Sequence, residues 1–389
     1  MKKLLKQTIT GIWKDPSIQA ALILYLIVRI GLGLWLPFVN SIYSRELEPA
    51  VQVGLYKGVA VESSPWLEAW QRWDTLHYQA IAERGYTAFD TALFTPPLYP
   101  MLMRWGAVLL GGNTLLSGIL VSNLAYLGTL ITLYRLALFE TGDHGAARRT
   151  LIYLAVFPTG FFFLGAFSET LFLLAAILTI YAARRKQWVT SGLWGGAAAL
   201  TRINGFFLPL PLGLAALSER RSQRTWRPFW MVALTLAGFA IFPLYVWVGM
   251  GQHPWTIVEA LNLRGGYLTW PGANLLRSIE LLLQGSLMTA DVFDLLFTVL
   301  FFGLAVPVWR MLPKIYSGYY LTLLVFYLIR MGPGTQPLLG MTRYVLLLFP
   351  AFIILGIWGQ RPWVNRLILY PSVILLIFMS SIFTLWGVI

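Results

Sequence analysis

The chain has 389 residues, 58% of them hydrophobic and only 12% charged, with a formal net charge of +13. A soluble domain carries about twice that share of charge, so there is too little polar surface to coat a water-soluble globule of this size. The basic excess does not indicate nucleic acid, because it gathers in short loops between apolar runs, where membrane topology accounts for it. The lack of cysteine removes disulfides, thiolate chemistry and cysteine-ligated metal.

The first residues, Met1-Lys2-Lys3-Leu4-Leu5-Lys6, resemble the basic start of a signal peptide. The apolar run at 18–40 is too long for a signal core, and no small-residue cleavage site follows, so it is expected to be an uncleaved first span. Segment 41–97 holds Glu46, Glu48, Glu62, Glu68, Asp74, Glu83 and Asp90, seven of the 16 acids, with Trp66, Trp70, Trp73, Tyr78 and Tyr86 among them. Those aromatics are the types that settle at headgroup level, and they argue against a disordered linker. Residues 98–111 are apolar but only 14 long, roughly 21 Å of helix against a hydrocarbon core of about 30 Å. They are expected to lie along the outer surface, extending an outer loop with juxtamembrane helices over 41–114.

Further spans are expected at 115–138, 151–166, 169–183, 188–202, 205–217, 228–250, 291–309, 315–330, 341–358 and 367–387. The total of about eleven puts the N-terminus inside and the C-terminus outside. The inner segments would then be the N-terminus, 135–150, 184–187, 218–227, 310–314 and 359–366, holding 18 of the 29 Lys and Arg residues. If 98–111 crossed, every later loop would invert against the positive-inside rule. A second long outer segment covers 251–290. The expected fold is thus an all-α integral membrane protein, one multi-span domain over 1–389.

The densest polar stretch is Gln71-Arg72-Trp73-Asp74-Thr75-Leu76-His77-Tyr78. On a helix Asp74 and His77 are three apart and share a face. Such a pair can abstract a proton, bind a cation or hydrogen-bond its own loop, and an interfacial helix with its charges in water fits the residue types equally well. Glu169 and Arg202 are expected at outer span ends, and Arg330 and Arg343 flank an outer turn with Tyr344 beside Arg343. Ionisable groups at the hydrocarbon edge either serve function or snorkel to headgroups. That several face the side of Asp74 favours a shared cavity able to bind an anionic lipid headgroup. No Walker motif, HExxH or Gly-x-Ser-x-Gly elbow is present.

Arg72-Trp73-Asp74-Thr75-Leu76-His77-Tyr78, with Ile81-Ala82 and Gly85-Tyr86, resembles the first-loop signature of the PIG-V family of mannosyltransferases. Phe94-Thr95-Pro96-Pro97-Leu98-Tyr99-Pro100, Phe157-Pro158-Thr159-Gly160, Phe167-Ser168-Glu169-Thr170, Thr201-Arg202-Ile203-Asn204-Gly205 and Arg343-Tyr344 with Phe349-Pro350 extend the likeness in order. It spans about 70–350, and the combination is specific although each piece alone is weak. The family's eukaryotic member adds the second mannose of the GPI anchor; the compact length here is more like its prokaryotic relatives.

The resemblance implies a GT-C fold with its active site on the outer face of a prokaryotic plasma membrane, or the luminal face of the ER in a eukaryote. It also implies a polyprenyl-phosphate sugar donor of the dolichyl-phosphate-mannose kind, inversion at the anomeric carbon, and a lipid or glycolipid acceptor. Within that frame Asp74 is the candidate base, with His77 orienting it or touching substrate. Arg202 and Arg343 are the candidate phosphate clamps, since guanidinium pairs with phosphate in a bidentate fork. Glu169 and Asn204 would meet sugar hydroxyls, or Glu169 would hold an arginine in place. Trp73 and Tyr344 complete the candidate substrate contacts, and Trp66 and Trp70 fit an interfacial belt better. No Asp-x-Asp or Glu-x-Asp pair stands in the loop, so no metal ligands are expected and a divalent-metal requirement stays open. A transporter or scramblase of a lipid-linked saccharide would account for the arginines without covalent chemistry.

Overall fold

The computed structural model describes residues 15–43, 47–263, 266–332 and 334–387. The N-terminal lysines Lys2, Lys3, Lys6 and Lys14, the acid Glu46 and the C-terminal residues at 388–389 lie outside the described residues. What is described is almost wholly helical. Helix α1 (Pro16–Ile42) begins at Asp15, whose carboxylate accepts the Ser17 amide at 2.8 Å, with proline in the first helical position. Short helices α2 (Pro49–Tyr56), α3 (Pro65–Glu68), α4 (Asp74–Arg84) and α5 (Leu98–Leu109) follow before α6 (Thr114–Thr141). So 98–109 is helical, as its composition requires, and 12 residues long.

The expected inner loop over 135–150 is mostly helix. Helix α6 ends at Gly142, which takes the left-handed cap at φ 67°, and the Asp143 carboxylate caps α7 (His144–Ala155) through the Gly145 and Ala146 amides. Helices α8 (Glu169–Arg184), α9 (Trp188–Thr201), α10 (Pro209–Gln223) and α11 (Phe229–Leu244) come next, then α12 (Thr256–Leu263), α13 (Ala273–Leu283) and α14 (Thr289–Met311). The chain closes with α15 (Lys314–Leu328), α16 (Met341–Tyr344), α17 (Pro350–Trp358) and α18 (Pro362–Thr384).

Among the described residues, five helices are long and apolar enough to cross a membrane: Pro16–Ile42, Thr114–Thr141, Phe229–Gly249, Ala290–Met311 and Pro362–Thr384. The pair Met341–Leu347 and Pro350–Trp358, bent by 83°, is a sixth if taken as one broken span. Five other expected spans are helices of 12 to 16 residues, roughly 18–24 Å long, which differs from the full crossings expected of them. The helix expected at 151–166 starts at His144 and stops at Ala155, and the one expected at 205–217 is displaced to Pro209–Gln223. Short helices in hydrocarbon satisfy their end groups against neighbouring protein, and most of these are well buried.

The long helices α1 and α18 leave Ile23, Ile27, Leu34, Leu367 and Ile374 largely exposed. Bare aliphatic faces of this length suit lipid, not water. Inside, Phe157 meets Phe297, Phe301 and Phe352 edge-on, locking α14 and α17 around the turn after α7. Helices α9 and α11 meet through glycine: a Cβ at Gly238 would overlap the Cα of Gly196. Small residues let backbones approach in a membrane, where no hydrophobic effect draws helices together. One strand pair adds a tie: β1 (Tyr267–Leu268) runs antiparallel to β2 (Arg330–Met331), joining the segment between α12 and α13 to the turn before α16.

Replacing Gly238 with valine should force α9 from α11 and destabilise the protein by about 1–3 kcal/mol, the usual range for overpacking. A lowered thermal midpoint in detergent checks this, and an unchanged one removes the close contact.

Candidate active site

The site starts from a buried anchor. Arg72 is 1% exposed and donates from Nε to the Thr384 carbonyl at 2.8 Å and from Nη2 to Asn40 Oδ1 at 3.2 Å. It pairs with Glu68 at 2.7 Å and lies over the Trp386 ring. The segment between α1 and α4 is thereby fastened to the ends of both α1 and α18. The next residue, Trp73, has φ 52° and ψ −121°, a left-handed conformation of order 1–3 kcal/mol for a non-glycine. That turn starts α4 with Asp74 in its first position, where the helix dipole favours a carboxylate.

Asp74 then meets charges delivered by three other segments. Arg343, on α16, donates from Nη1 to Asp74 Oδ2 at 2.8 Å, and its Nη2 is in close contact with Glu169 Oε1. Glu169, the fully buried first residue of α8, also pairs with Arg202 Nη1 at 2.9 Å. Arg202 sits just past α9 in extended backbone and donates to Ser168 Oγ at 2.8 Å, which lies 2.7 Å from the Tyr78 hydroxyl. Burial pushes the Tyr78 phenol up from its usual range, so it stays neutral. The Arg343 guanidinium also lies over Phe162 and Phe167.

The contacts at Glu169 are ion pairs by distance, yet neither of its oxygens has an aligned hydrogen bond among the described residues. The donors Arg202 Nε and Arg343 Nε and Nη2 likewise lack aligned acceptors. Two carboxylates and two guanidiniums thus form a chain of balanced charge in which several guanidinium nitrogens lack aligned acceptors.

Two cavities flank this chain. The larger, about 250 Å³, is lined by Trp73, Asp74, Asp291, Arg330, Arg343 and Tyr344, with Phe162 and Phe383 behind. The smaller, about 50 Å³, is lined by Asp74, Tyr78, Ser168, Arg202, Asn204 and Tyr344, with Thr95 and Arg330. Asn204 donates to the Tyr327 hydroxyl at 2.8 Å, and the Tyr327 ring stacks on Tyr344 with centroids 5.3 Å apart. Of the residues singled out in the sequence, Trp73, Asp74, Glu169, Arg202, Asn204, Arg343 and Tyr344 therefore come together. His77 lines neither cavity, and its ring packs edge-on against Phe89 at 5.1 Å.

Sequence reading passed over Tyr327, Asp291 and Asp294. The two acids stand three apart at the start of the span expected at 291–309, and ionisable residues in an apolar run were the available signal. Asp294 accepts the Gly340 amide at 2.9 Å and the Thr342 amide and hydroxyl, each at 2.6 Å, fixing the turn that carries Arg343. Among the described residues no group of three or more His, Asp or Glu is placed to hold a metal ion.

The helical fold has a counterpart among solved structures. It superposes with a TM-score of 0.51 on the crystal structure of ArnT from Cupriavidus metallidurans bound to undecaprenyl phosphate, at 16% identity, over 93% of this chain and 76% of that one. The apo structure of the same protein matches equally, with a TM-score of 0.51 at 17% identity over 94% of this chain and 76% of that one. The family model described as dolichyl-phosphate-mannose-protein mannosyltransferase matches residues 95–247. GPI mannosyltransferase 2 of Cryptococcus neoformans var. neoformans serotype D (strain JEC21 / ATCC MYA-565) is 24% identical over 240 residues, 54% of this chain and 56% of that protein. GPI mannosyltransferase 2 of Drosophila pseudoobscura pseudoobscura is 29% identical over 210 residues, 46% of each. The chain therefore spans about half the length of these curated relatives.

Glu169→Gln would strip Arg202 of its counter-charge in a dry setting and should destabilise the protein by about 3–5 kcal/mol. Adding Arg202→Gln should recover part of the loss, since the charge left alone is then gone. Thermal midpoints of the two single variants and the double variant test this; simple additivity would mean that the two charges are not coupled.

Proposed function

We propose that this protein is an inverting glycosyltransferase. It moves a sugar, mannose by the resemblance, from a polyprenyl-phosphate donor to a membrane-associated acceptor on the extracytoplasmic face. The observation that carries this reading is the Asp74–Arg343–Glu169–Arg202 chain set between two cavities. The relatives named as mannosyltransferases and the ArnT complex with undecaprenyl phosphate support the donor class. The sidedness rests on the concentration of basic residues in the opposite set of loops. On this reading the chain crosses a prokaryotic plasma membrane about eleven times, its shorter helices completing their crossings within the bundle.

The chemistry follows from the charges. The acceptor hydroxyl gives its proton to a carboxylate oxygen of Asp74 as its oxygen attacks the anomeric carbon. The bond from that carbon to the phosphate oxygen breaks, and the electron pair leaves with polyprenyl phosphate. A lipid phosphate is a stable anion, so fixed cations replace a general acid, and Arg202 and Arg343 supply them. Before donor arrives Asp74 is engaged by Arg343, which makes it a poor base. Phosphate competes for that guanidinium and releases Asp74 when the substrate is in place. Glu169 holds both arginines, Asn204 and Tyr344 line the path of the sugar, and Trp73 offers a ring face. His77 acts through the α4 framework or on substrate at its margin.

Asp74→Asn should lower transfer from polyprenyl-phosphate-mannose to total membrane glycolipid by about 10²–10⁴-fold while leaving donor binding in place. Full activity in that variant removes Asp74 from the mechanism, and lipid movement across the bilayer without sugar transfer would favour a transporter. Arg343→Lys keeps the charge and loses the fork, so donor affinity should fall about tenfold or more. Unchanged affinity for polyprenyl phosphate would return Arg343 to a structural role.

A further inference from the structure

Asp291 is 2% exposed and lines the larger cavity, and its Oδ2 has no hydrogen-bond partner among the described residues. Its neighbour one turn on, Asp294, is fully occupied with Gly340 and Thr342, so the two acids differ in kind. One builds the turn, and the other lines a cavity with a carboxylate of which one oxygen has no donor. A buried acceptor left without a donor is costly, and folds retain such groups mainly where a ligand supplies the donor.

The two cavities are also unlike in charge. The smaller has Arg202, Arg330 and a row of neutral hydroxyl and amide groups, with Asp74 its sole acid. The larger sets Asp74, Asp291 and Asp294 against Arg330 and Arg343 and places Trp73, Tyr344, Phe162 and Phe383 around them. By formal charge, acids outnumber arginines only in the larger cavity, so a phosphate is favoured in the smaller over the larger. Carboxylates beside aromatic faces suit a neutral, hydroxyl-rich group, because hydroxyls donate to the acids while the apolar face of a sugar ring lies on the aromatics. A volume of about 250 Å³ is small for a drug-sized ligand and sufficient for a single sugar or polyol unit.

We propose that the larger cavity receives the hydroxyl-bearing head of the acceptor and that Asp291 is its recognition residue, an assignment that rests on the glycosyl-transfer reading above. Asp291 Oδ2 accepts a hydrogen bond from one acceptor hydroxyl and so turns the neighbouring hydroxyl toward Asp74. The donor phosphate sits at Arg202 and Arg343, along the chain of charges that separates the two cavities.

The test uses the full chain in detergent, with saturating polyprenyl-phosphate-mannose and total membrane glycolipid as a titrated acceptor. Asp291→Asn and Asp291→Ala should raise the acceptor level needed for half-maximal transfer about 10- to 100-fold, the range for a hydrogen bond to a charged group. Affinity for polyprenyl phosphate, measured by competition, should stay as in the wild type. An unchanged acceptor dependence, or a fall in polyprenyl phosphate affinity instead, overturns the assignment. If neither variant folds, Ala290→Leu narrows the same cavity and must give the same split, and its failure to do so is equally decisive. Absence of transfer by the wild type refutes the glycosyl-transfer reading itself and takes this assignment with it. That failure is recognisable because it precedes any substitution.

Discussion

The structure turns on charge compensation out of water. Glu169 is fully buried and would be untenable as a lone carboxylate, yet Arg202 and Arg343 hold it from two sides and Asp74 balances the second guanidinium. The four residues sit on four separate segments, so none can be satisfied until the bundle has assembled. Secondary structure at each point serves this meeting. Asp74 opens one helix and Glu169 another, Arg202 lies just beyond a third, and Arg343 rides on a short turn capped by Asp294.

Around that centre the scaffold works by fastening loops to spans. Arg72 joins the segment before α4 to α1 and α18, and the β1–β2 pair joins the segment between α12 and α13 to the residues before Arg343. Both ties use backbone or buried polar groups, which hold better in a dry setting than exposed ion pairs do. The apolar outer faces of α1 and α18 need no such ties, since lipid covers them on this reading.

Much of the site was legible in the sequence because charge is scarce. With 12% charged residues, each acid or arginine beside an apolar run stands out, and Asp74, Glu169, Arg202 and Arg343 do lie together. His77 was grouped with Asp74 on helical spacing; its ring packs edge-on against Phe89 and it lines neither cavity. Asp291 and Asp294 were hidden inside an apolar window whose mean character outweighed them. Helix limits were the least legible part. Hydropathy sees composition, whereas Gly142 and Asp143 decide where α6 and α7 stop and start, and the break before Pro350 decides where α16 and α17 part.

Asp74, Arg330 and Tyr344 each face both cavities. A wall held in common makes the two compartments thermodynamically inseparable. Whatever enters one rearranges the hydrogen bonds and charges presented to the other, and linkage demands that the influence run equally in reverse. On the proposed reading, an empty neighbour and a filled one are then different sites, and donor and acceptor bind as linked ligands across the residues the cavities share.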